Sequence, residues 1–435
     1  MSQAICAIAT PPGRGGVGIV RISGSDLEKI AGALIGRLPE PRHARLVAVR
    51  DRTGEVIDRG LALYFPAPGS FTGEHVLELQ LHGAPVVLEQ VLSACVAAGA
   101  RRAGPGEFSQ RAFLNDKLDL AQAEAIADLI AAGSQQAARA AGRSLEGAFS
   151  TEVNTLADRI VELRVWVEAA MDFPDEEIDF LADGDVIGRV ASLLEQTRDL
   201  LARARTGRLL TDGLKIAIVG KPNAGKSSLF NALVRREAAI VTAIPGTTRD
   251  VVRETIQLAG IPVTLADTAG LRDTSDPVEV EGVRRTHAEL AEADLVLWVV
   301  DLTDPEPALP PTTTVPMLRV DNKLDLVDPV PQHDNAVAIS ATTGRGLEQL
   351  DRWVAGHFGL SEGGGEFSAR SRHVEQIEAT AGHLDQALAQ IRATASGELV
   401  AEELRLAAEA LGEITGQVHS DDLLGRIFSS FCIGK

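Results

Sequence analysis

The sequence predicts a multidomain chain of mixed class: an N-terminal α+β domain, a helical domain, and an α/β domain inserted into the helical one. Three observations carry this. Between residues 213 and 360, apolar strand-length runs alternate with helical ones (KIAIVG, SSLFNALV, IPVTLADT, DLVLWVVD), the order of a parallel sheet with helices on its faces. On both sides of that block the texture is rich in Ala, Leu, Glu and Arg and almost free of Pro, which favours one helical domain interrupted and then resumed over the alternative of four domains in a row. Ahead of it, residues 1–118 are dense in Gly, Pro and short alternating runs, which read as strands and turns. At about 150 residues per domain, 435 residues make roughly three domains. The expected bounds are 1–118, 119–212, the insert at 213–360, and the returning helical segment at 361–435.

The elements follow in order. GRGGVG at 13–18 fits the dinucleotide pattern G-x-G-x-x-G but leads into IVRIS. That run is strand-like, and a dinucleotide site needs a helix N-terminus there, so a Gly-rich turn between strands is expected. In LELQLHG, Leu77, Leu79 and Leu81 alternate with Glu78, Gln80 and His82. Period two predicts a half-buried strand with Glu78 on the face opposite the leucines. AQAEAIADLIAA, VNTLADRIVELRVWVEAA and IGRVASLLEQTRDLLARAR read as helices, broken by the acidic, Pro-bearing DFPDEEIDF. Past the insert, SEGGGEFS at 361–368 is a Gly-rich linker, and helical texture returns over 370–427.

Composition narrows the function classes. Hydrophobic residues make up 45% of the chain, which excludes a disordered protein. The net charge is −19, from 42 basic and 61 acidic residues. An acidic surface argues against a bulk nucleic-acid coat and leaves room for local docking on an RNA. Scarce Tyr and Trp argue against aromatic base-stacking platforms. The cysteines Cys6, Cys95 and Cys432 are odd in number and match no zinc spacing, so a reducing cytosol is expected rather than a disulfide scaffold. The opening MSQAICAIATPPGRGG lacks a signal peptide's basic lead and apolar core. The longest apolar stretch, LVLWVV at 295–300, is strand length, so no membrane span is expected.

The chemistry concentrates in the insert. GKPNAGKS at 220–227 matches G-x-x-x-x-G-K-[ST], follows the strand KIAIV and opens a helix, which is the context a phosphate loop requires. Its glycines let backbone amides wrap phosphate oxygens, and the helix N-terminus adds its dipole. Lys226 supplies positive charge at the β- and γ-phosphates, and the Ser227 hydroxyl reaches Mg²⁺. Asn223, Ala224, Gly225 and Ser228 complete this stretch. NKLD at 322–325 identifies the base: Asp325 can accept from the ring N–H and amino group of guanine, which adenine lacks, and Asn322 and Lys323 flank it. ISATTGRG supplies backbone amides for the guanine carbonyl at Ser340 and Ala341, with Thr342 following. In DTAG, Asp267 holds Mg²⁺ through water and the Gly270 amide meets the γ-phosphate, with Thr268 and Ala269 between. Upstream, IPGTTRD puts Thr247 and Thr248 on a loop that can close over Mg²⁺. GTP is therefore the expected nucleotide.

One part is missing. Ras-like proteins carry a water-orienting Gln just after DxxG, where this chain has Leu271, and no arginine finger can be named. In RDTSDPVEVEG the residue types leave Asp273, Asp276, Glu279 and Glu281 as open candidates.

GKPNAGKS, IPGTTRD, DTAGLR, NKLD and SATTG occur in this order, flanked by PGEFSQRAFLNDKLDLAQAEAIADLI and by the terminal FCIGK. With these motifs the chain resembles, over essentially its whole length, the MnmE (TrmE) family of tRNA-modification GTPases. The resemblance implies an N-terminal α+β folate-binding-type domain that forms a constitutive homodimer, and a central helical domain. It implies a Ras-like P-loop GTPase domain inserted into the helical one. It implies that these GTPase domains pair across their nucleotide faces when K⁺ takes the place of an arginine finger. Asn223 would ligate K⁺ by its side-chain carbonyl, with backbone carbonyls of Thr242, Ile244 and Thr247; the rest of that nucleotide loop is Ala243, Pro245, Gly246 and Thr248. The family's water-orienting glutamate falls on Glu279, so the catalytic set becomes Glu279, Lys226 and Thr248, and Mg²⁺ is assigned to Ser227 and Thr248. Two departures stand out: Val280 replaces a commonly basic residue, and the segment 301–317 is short and Pro-rich for the family.

By match to VGIVRISG, VLELQLHG and NDKLDLAQAEA, the residues binding 5-formyl- or 5,10-methylene-tetrahydrofolate would be Arg21, Glu78 and Lys117, joined by the terminal Lys435. A pterin's N–H edge suits Glu78, and folate carboxylates suit Arg and Lys. Cys432 is a candidate reactive thiol beside them. The family works in the cytoplasm with an FAD-containing MnmG/GidA-type subunit, in a heterotetramer or larger complex. It adds a carboxymethylaminomethyl or aminomethyl group to C5 of uridine 34 of certain tRNAs. The nucleotide motifs alone also permit a ribosome-assembly switch GTPase of the Era/Der type. The flanking segments, and the absence of a KH-type GxxG clamp after the insert, argue against it.

Overall fold

The structure is a computed structural model. It describes residues 3–172, 185–237, 253–267, 293–306, 309–310, 312–328, 333, 335–359, 366–394 and 396–434. Contacts divide the chain into two compact units: Met1–Ala127 with Ser150–Asp158 and Ala408–Lys435, and Asp128–Phe149 with Arg159–Ala407.

The first unit is built on a six-stranded sheet of order β3-β4-β5-β2-β1-β6. Its strands are β1 (Ile5–Ile8), β2 (Gly15–Gly24), β3 (Arg45–Arg50), β4 (Val56–Phe65), β5 (His75–Gly83) and β6 (Arg101–Arg102). All neighbours are antiparallel except β1 and β6. The alternation in β5 has the predicted effect. Leu77, Leu79 and Leu81 enter a core that also holds residues of α1 (Glu28–Ile35) and α2 (Pro85–Ala97), while Glu78 sits on the other face. Of the Gly-rich segment at 13–18, only Gly13 and Arg14 precede the strand; β2 already starts at Gly15, with a register shift between Gly15 and Gly18. A side chain at Gly18 would collide with Leu88 of α2. Opposite the main core, Ile5, Ala7 and Ala103 pack with Phe108 of α3 (Glu107–Leu114). The C-terminal α12 (Asp421–Ser429) packs here too: Leu424, Ile427, Phe428 and Phe431 bury against Leu120 and Ala123 of α4 (Leu120–Ala131).

The second unit carries a sheet of order β12-β11-β10-β7-β9-β8. Strands β7 (Leu214–Val219), β9 (Ile261–Asp267), β10 (Leu295–Asp301), β11 (Met317–Asn322) and β12 (Ala336–Ala338) run parallel, as the strand–helix order predicts. The exception is β8 (Arg253–Leu258), which joins β9 through a tight turn and pairs antiparallel to it. Ala259 and Gly260 there have φ of +53° and +82°, and two left-handed residues in a two-residue loop match the twist of a hairpin. The core of this sheet takes Leu229, Phe230 and Leu233 of α8 (Lys226–Glu237) and Leu347, Leu350 and Val354 of α9 (Leu347–His357). It also takes Ala137 and Ala140 of α5 (Gln135–Leu145), and Leu209 and Leu210 of α7 (Val186–Asp212).

The remaining helices are α6 (Ala148–Asp172), α10 (Ser371–Thr394) and α11 (Gly397–Thr415). In α6 the buried positions 149, 153, 156, 157, 160, 163 and 167 recur at the helical period. The return from the sheet is anchored inside the second unit. Arg370 bonds Asp128 of α4 at 2.5 Å, Ser144 of α5 bonds the Ser368 backbone, and the Phe149 and Phe367 rings lie 4.7 Å apart. No helix among the described residues is long and apolar enough to cross a membrane.

Candidate nucleotide site and a second polar cluster

The nucleotide site is assembled where β7 ends. Gly220 turns the chain out of the strand so close to β10 that a Cβ there would stand 2.3 Å from the Val299 carbonyl. Asn223 (φ +64°) and Gly225 (φ +95°) are both left-handed, and α8 starts at Lys226, so the loop amides precede a helix N-terminus. The Lys226 ammonium donates to the carbonyls of Gly220 (2.9 Å) and Lys221 (2.8 Å), which holds the cation over the loop. Asn223, Ser227 and Ser228 are exposed at its mouth.

The base side is tied to the phosphate side through one asparagine. Asn322, at the end of β11 and 2% exposed, donates from Nδ2 to the Ala224 carbonyl (2.9 Å) and accepts at Oδ1 from the Ala341 amide (3.0 Å). Gly225 makes this approach possible: a Cβ there would meet Asn322 Nδ2 at 2.0 Å. Lys323 (φ +67°) ion-pairs with Asp301 at the end of β10, 2.5 Å away. Partial burial works against the charge of Asp301. The bonds from Lys323 and Thr303 outweigh it and hold the carboxyl below its usual range. Lys221 of the phosphate loop pairs with Asp304 at 3.0 Å. Asp325 lies on a 3-10 turn (Leu324–Leu326) with an exposed side chain.

The loop following β12 is held by its own bonds. Ser340 N–H donates to the Arg345 carbonyl, its hydroxyl accepts from the Thr343 amide, and the Ala341 amide is the one joined to Asn322. Thr342 is exposed beyond it.

Several expected positions lie outside the described residues: Thr242, Ala243, Ile244, Pro245, Gly246, Thr247, Thr248, Thr268, Ala269, Gly270, Glu279 and Lys435. Asp267 is present as the last residue of β9.

The second cluster lies on the α3 face of the first unit's sheet. Arg21 of β2 and Glu78 of β5 are direct cross-strand partners, joined at 2.9 Å. The Arg21 guanidinium stacks over Phe71 (5.6 Å) and Phe108 (5.8 Å). Next to it, Ser23 bonds Thr72 (2.7 Å) and Glu74 (2.8 Å), and Glu74 pairs with Arg111 at 2.7 Å. Glu107 joins Arg111 and Arg101. Partial burial opposes its charge, but Arg101, the Gly104 amide and Arg111 prevail and keep the carboxyl below its usual range. Lys117 is exposed where α3 ends; a Cβ on Gly73 would stand 3.3 Å from its Cγ, so the Lys117 stem lies beside the loop that follows Thr72.

The chain's tail is drawn to the start of α3 and the end of β1. Ile433 bridges to Pro105, Gly106 N–H approaches the Cys432 carbonyl at 3.4 Å, and a Cβ at Gly434 would meet the Ile8 carbonyl. Ile8 is one residue past Ala7, the cross-strand partner of Arg21. Cys432 is exposed, whereas Cys6 and Cys95 are buried. Residue types alone did not single out Glu74, Glu107 and Arg111; Glu107 and Arg111 belong to a local run of charges around PGEF, whereas Glu74 meets Arg111 from 37 residues away.

A glycine-shaped phosphate loop, its lysine, and an NKxD asparagine bound to that loop define a P-loop domain of the GTPase type. A family model described as the GTP-binding protein TrmE N-terminus matches residues 4–117, and the MnmE helical domain model matches 120–432. The chain belongs to the MnmE family. It is 53% identical over 439 residues to the tRNA modification GTPase MnmE of Alkalilimnicola ehrlichii, covering 99% of each chain. It is 52% identical over 454 residues to that of Erwinia tasmaniensis, covering 100% of this chain and 99% of the other. Among solved structures, the G domain of the T. maritima FeoB iron transporter aligns with 34% of this chain and 98% of its own length. That match has 22% identity and a TM-score of 0.25.

Proposed function

We propose that this protein is a GTP hydrolase acting in tRNA modification. In this reading it is stimulated by K⁺ and installs, with an FAD-containing MnmG/GidA-type subunit, a carboxymethylaminomethyl or aminomethyl group at C5 of uridine 34. The observation that carries the reading is the pairing of the Asn322-tied phosphate loop with full-length identity above half to the curated MnmE relatives. Domain bounds at 1–118, 119–212, 213–360 and 361–435, a cytoplasmic location and a homodimer through the N-terminal domain belong to the same reading.

The described residues suit the work assigned to them. Lys226, already held over the loop by two carbonyls, neutralises charge on the β- and γ-phosphates as it shifts toward the leaving group. Asp325 reads guanine, and amides of the 340–342 loop take its carbonyl. Glu279 orients the attacking water where Leu271 has no hydrogen-bonding group. The exposed Ser227 hydroxyl at a helix N-terminus suits Mg²⁺, together with Thr248 and, through water, Asp267. The exposed Asn223 carbonyl suits K⁺, with the backbone of Thr242, Ile244 and Thr247. Such cations supply positive charge against the developing phosphate oxygens.

For a tetrahydrofolate, Arg21 and Glu78 fit on a structural ground. Their single mutual bond leaves other guanidinium N–H groups and one carboxylate oxygen available beside two aromatic rings. The exposed Lys117 and the terminal Lys435 would meet folate carboxylates, and the cofactor would supply the one-carbon unit. With a net charge of −19, the chain leaves most tRNA phosphate binding to its partner.

Two measurements test this. GTP turnover in KCl should exceed that in NaCl and fall in Glu279→Ala; equal rates in both salts with no loss in the variant refute the K⁺ and Glu279 roles. Nucleoside mass analysis of tRNA from cells lacking the protein should show unmodified wobble uridine, and an unchanged profile refutes the central claim.

A further inference from the structure

One carboxylate beside the guanine-reading motif is not used by it. Asp321 precedes Asn322 in β11, and strand alternation sends the two side chains to opposite faces of the sheet. Asn322 turns to the phosphate loop, while Asp321 turns to the face that carries Trp298, where it is 1% exposed. A carboxylate so buried is costly unless it is paired and hydrogen-bonded. Asp321 is engaged on both oxygens: Oδ1 accepts from Arg319 Nε at 2.7 Å, and Oδ2 lies 2.7 Å from His333 Nδ1. The arrangement assigns the imidazole tautomer, with Nδ1–H donating to Asp321 and Nε2 accepting from Arg319 Nη2 at 3.4 Å. Arg319 is in turn stacked over the Trp298 ring, 5.4 Å from its centroid.

The position of this network in the chain gives it a consequence. Lys323 to Asp325 follow Asp321 directly. His333 belongs to the same connection as it returns toward β12, and the Asp321 carbonyl accepts from the Ile339 amide beyond that strand at 2.8 Å. The His333–Asp321 bond therefore joins the two ends of the connection that presents Asp325. A loop closed at its base loses less freedom when a ligand binds. An open one binds with an affinity reduced by the fraction of time it is misplaced.

We propose that Asp321, Arg319 and His333 form a clamp that positions the guanine-reading connection, so that guanine affinity and preference depend on it while GTP cleavage does not. This rests on Asp325 as the guanine-reading residue. His333 is a positioning residue here, since it acts on the base only through Asp321 and the loop.

The test is titration of the full chain with a non-hydrolysable GTP analogue and with its inosine counterpart, which lacks the amino group that Asp325 accepts. The variants are His333→Ala, His333→Asn and Asp325→Asn. His333→Ala should weaken guanine-nucleotide binding about tenfold, lower the guanine-over-inosine ratio, and raise KM for GTP by the same factor with kcat unchanged at saturation. His333→Asn keeps an N–H donor for Asp321 and should restore most of the loss. The clamp is overturned if His333→Ala lowers the melting temperature yet keeps wild-type affinity and ratio, or if the asparagine variant rescues nothing. A wild-type chain without guanine preference, or an Asp325→Asn variant that retains it, overturns the Asp325 reading and the clamp with it.

Discussion

Asn322 is the residue on which the nucleotide site turns. Its side chain uses both the NH2 and the carbonyl of its carboxamide to hold the phosphate loop to the loop after β12. Gly225→Ala would set a Cβ 2.0 Å from Asn322 Nδ2 at a left-handed φ. Breaking one such buried bond costs about 1–3 kcal/mol, so fluorescent GDP should bind about 5- to 150-fold more weakly, as read by titration. Lys226 and Asp325 were legible from their motifs. The partners of Asn322 were not, because Ala224 and Ala341 lie 98 and 19 residues away. The same limit hid the pairing of Arg21 with Glu78, 57 residues apart.

Glu107 gives a pH prediction at this scale. Its folded carboxyl is held below the usual range by Arg101, the Gly104 amide and Arg111, against the effect of its burial. A depressed folded pKa stabilises above the unfolded value of about 4.3, and this is lost as pH falls through the folded value. Glu107→Gln should therefore melt lower than wild type at neutral pH, with the gap closing in acid. A gap that stays constant down to pH 3 would refute this assignment.

Among the elements, periodicity proved informative wherever one face is buried. The period of two in β5 and the helical period in α6 reappear as alternating and staggered burial. The antiparallel β8 was not assigned from the sequence: its pairing is set by a two-residue turn at Ala259 and Gly260 that reverses the chain directly into β9. The docking of α12 was equally hidden, because its apolar face is complemented by Leu120 and Ala123 some three hundred residues earlier in the chain. Phe431, 6% exposed, belongs to that contact. Phe431→Ala should cost about 3–5 kcal/mol in chemical denaturation by leaving a cavity. A loss below about 1 kcal/mol would mean that the tail is not docked there.

At the scale of the whole molecule, two sheets with separate cores occupy two compact units. Ligand linkage should report on each by itself. A non-hydrolysable GTP analogue with Mg²⁺ at 100 times its Kd should stabilise the second unit by about 2.7 kcal/mol. 5-Formyltetrahydrofolate should stabilise the first. Calorimetry with each ligand alone should then move different parts of the melting profile, and identical shifts from both ligands would contradict the separate placement of the sites.

Local chemistry in the chain was enough to define the phosphate loop, the guanine motif and the faces of the main strands and helices. Those features depend on spacing within a single strand or turn, where backbone geometry translates sequence directly into position. Folding alone made Asn322 a tie between two loops, matched Arg21 with Glu78, and brought Gly434 to the end of β1. Each is a contact between segments far apart in the chain. No local spacing encodes such a contact, because its partner is selected by the packing of every element between them.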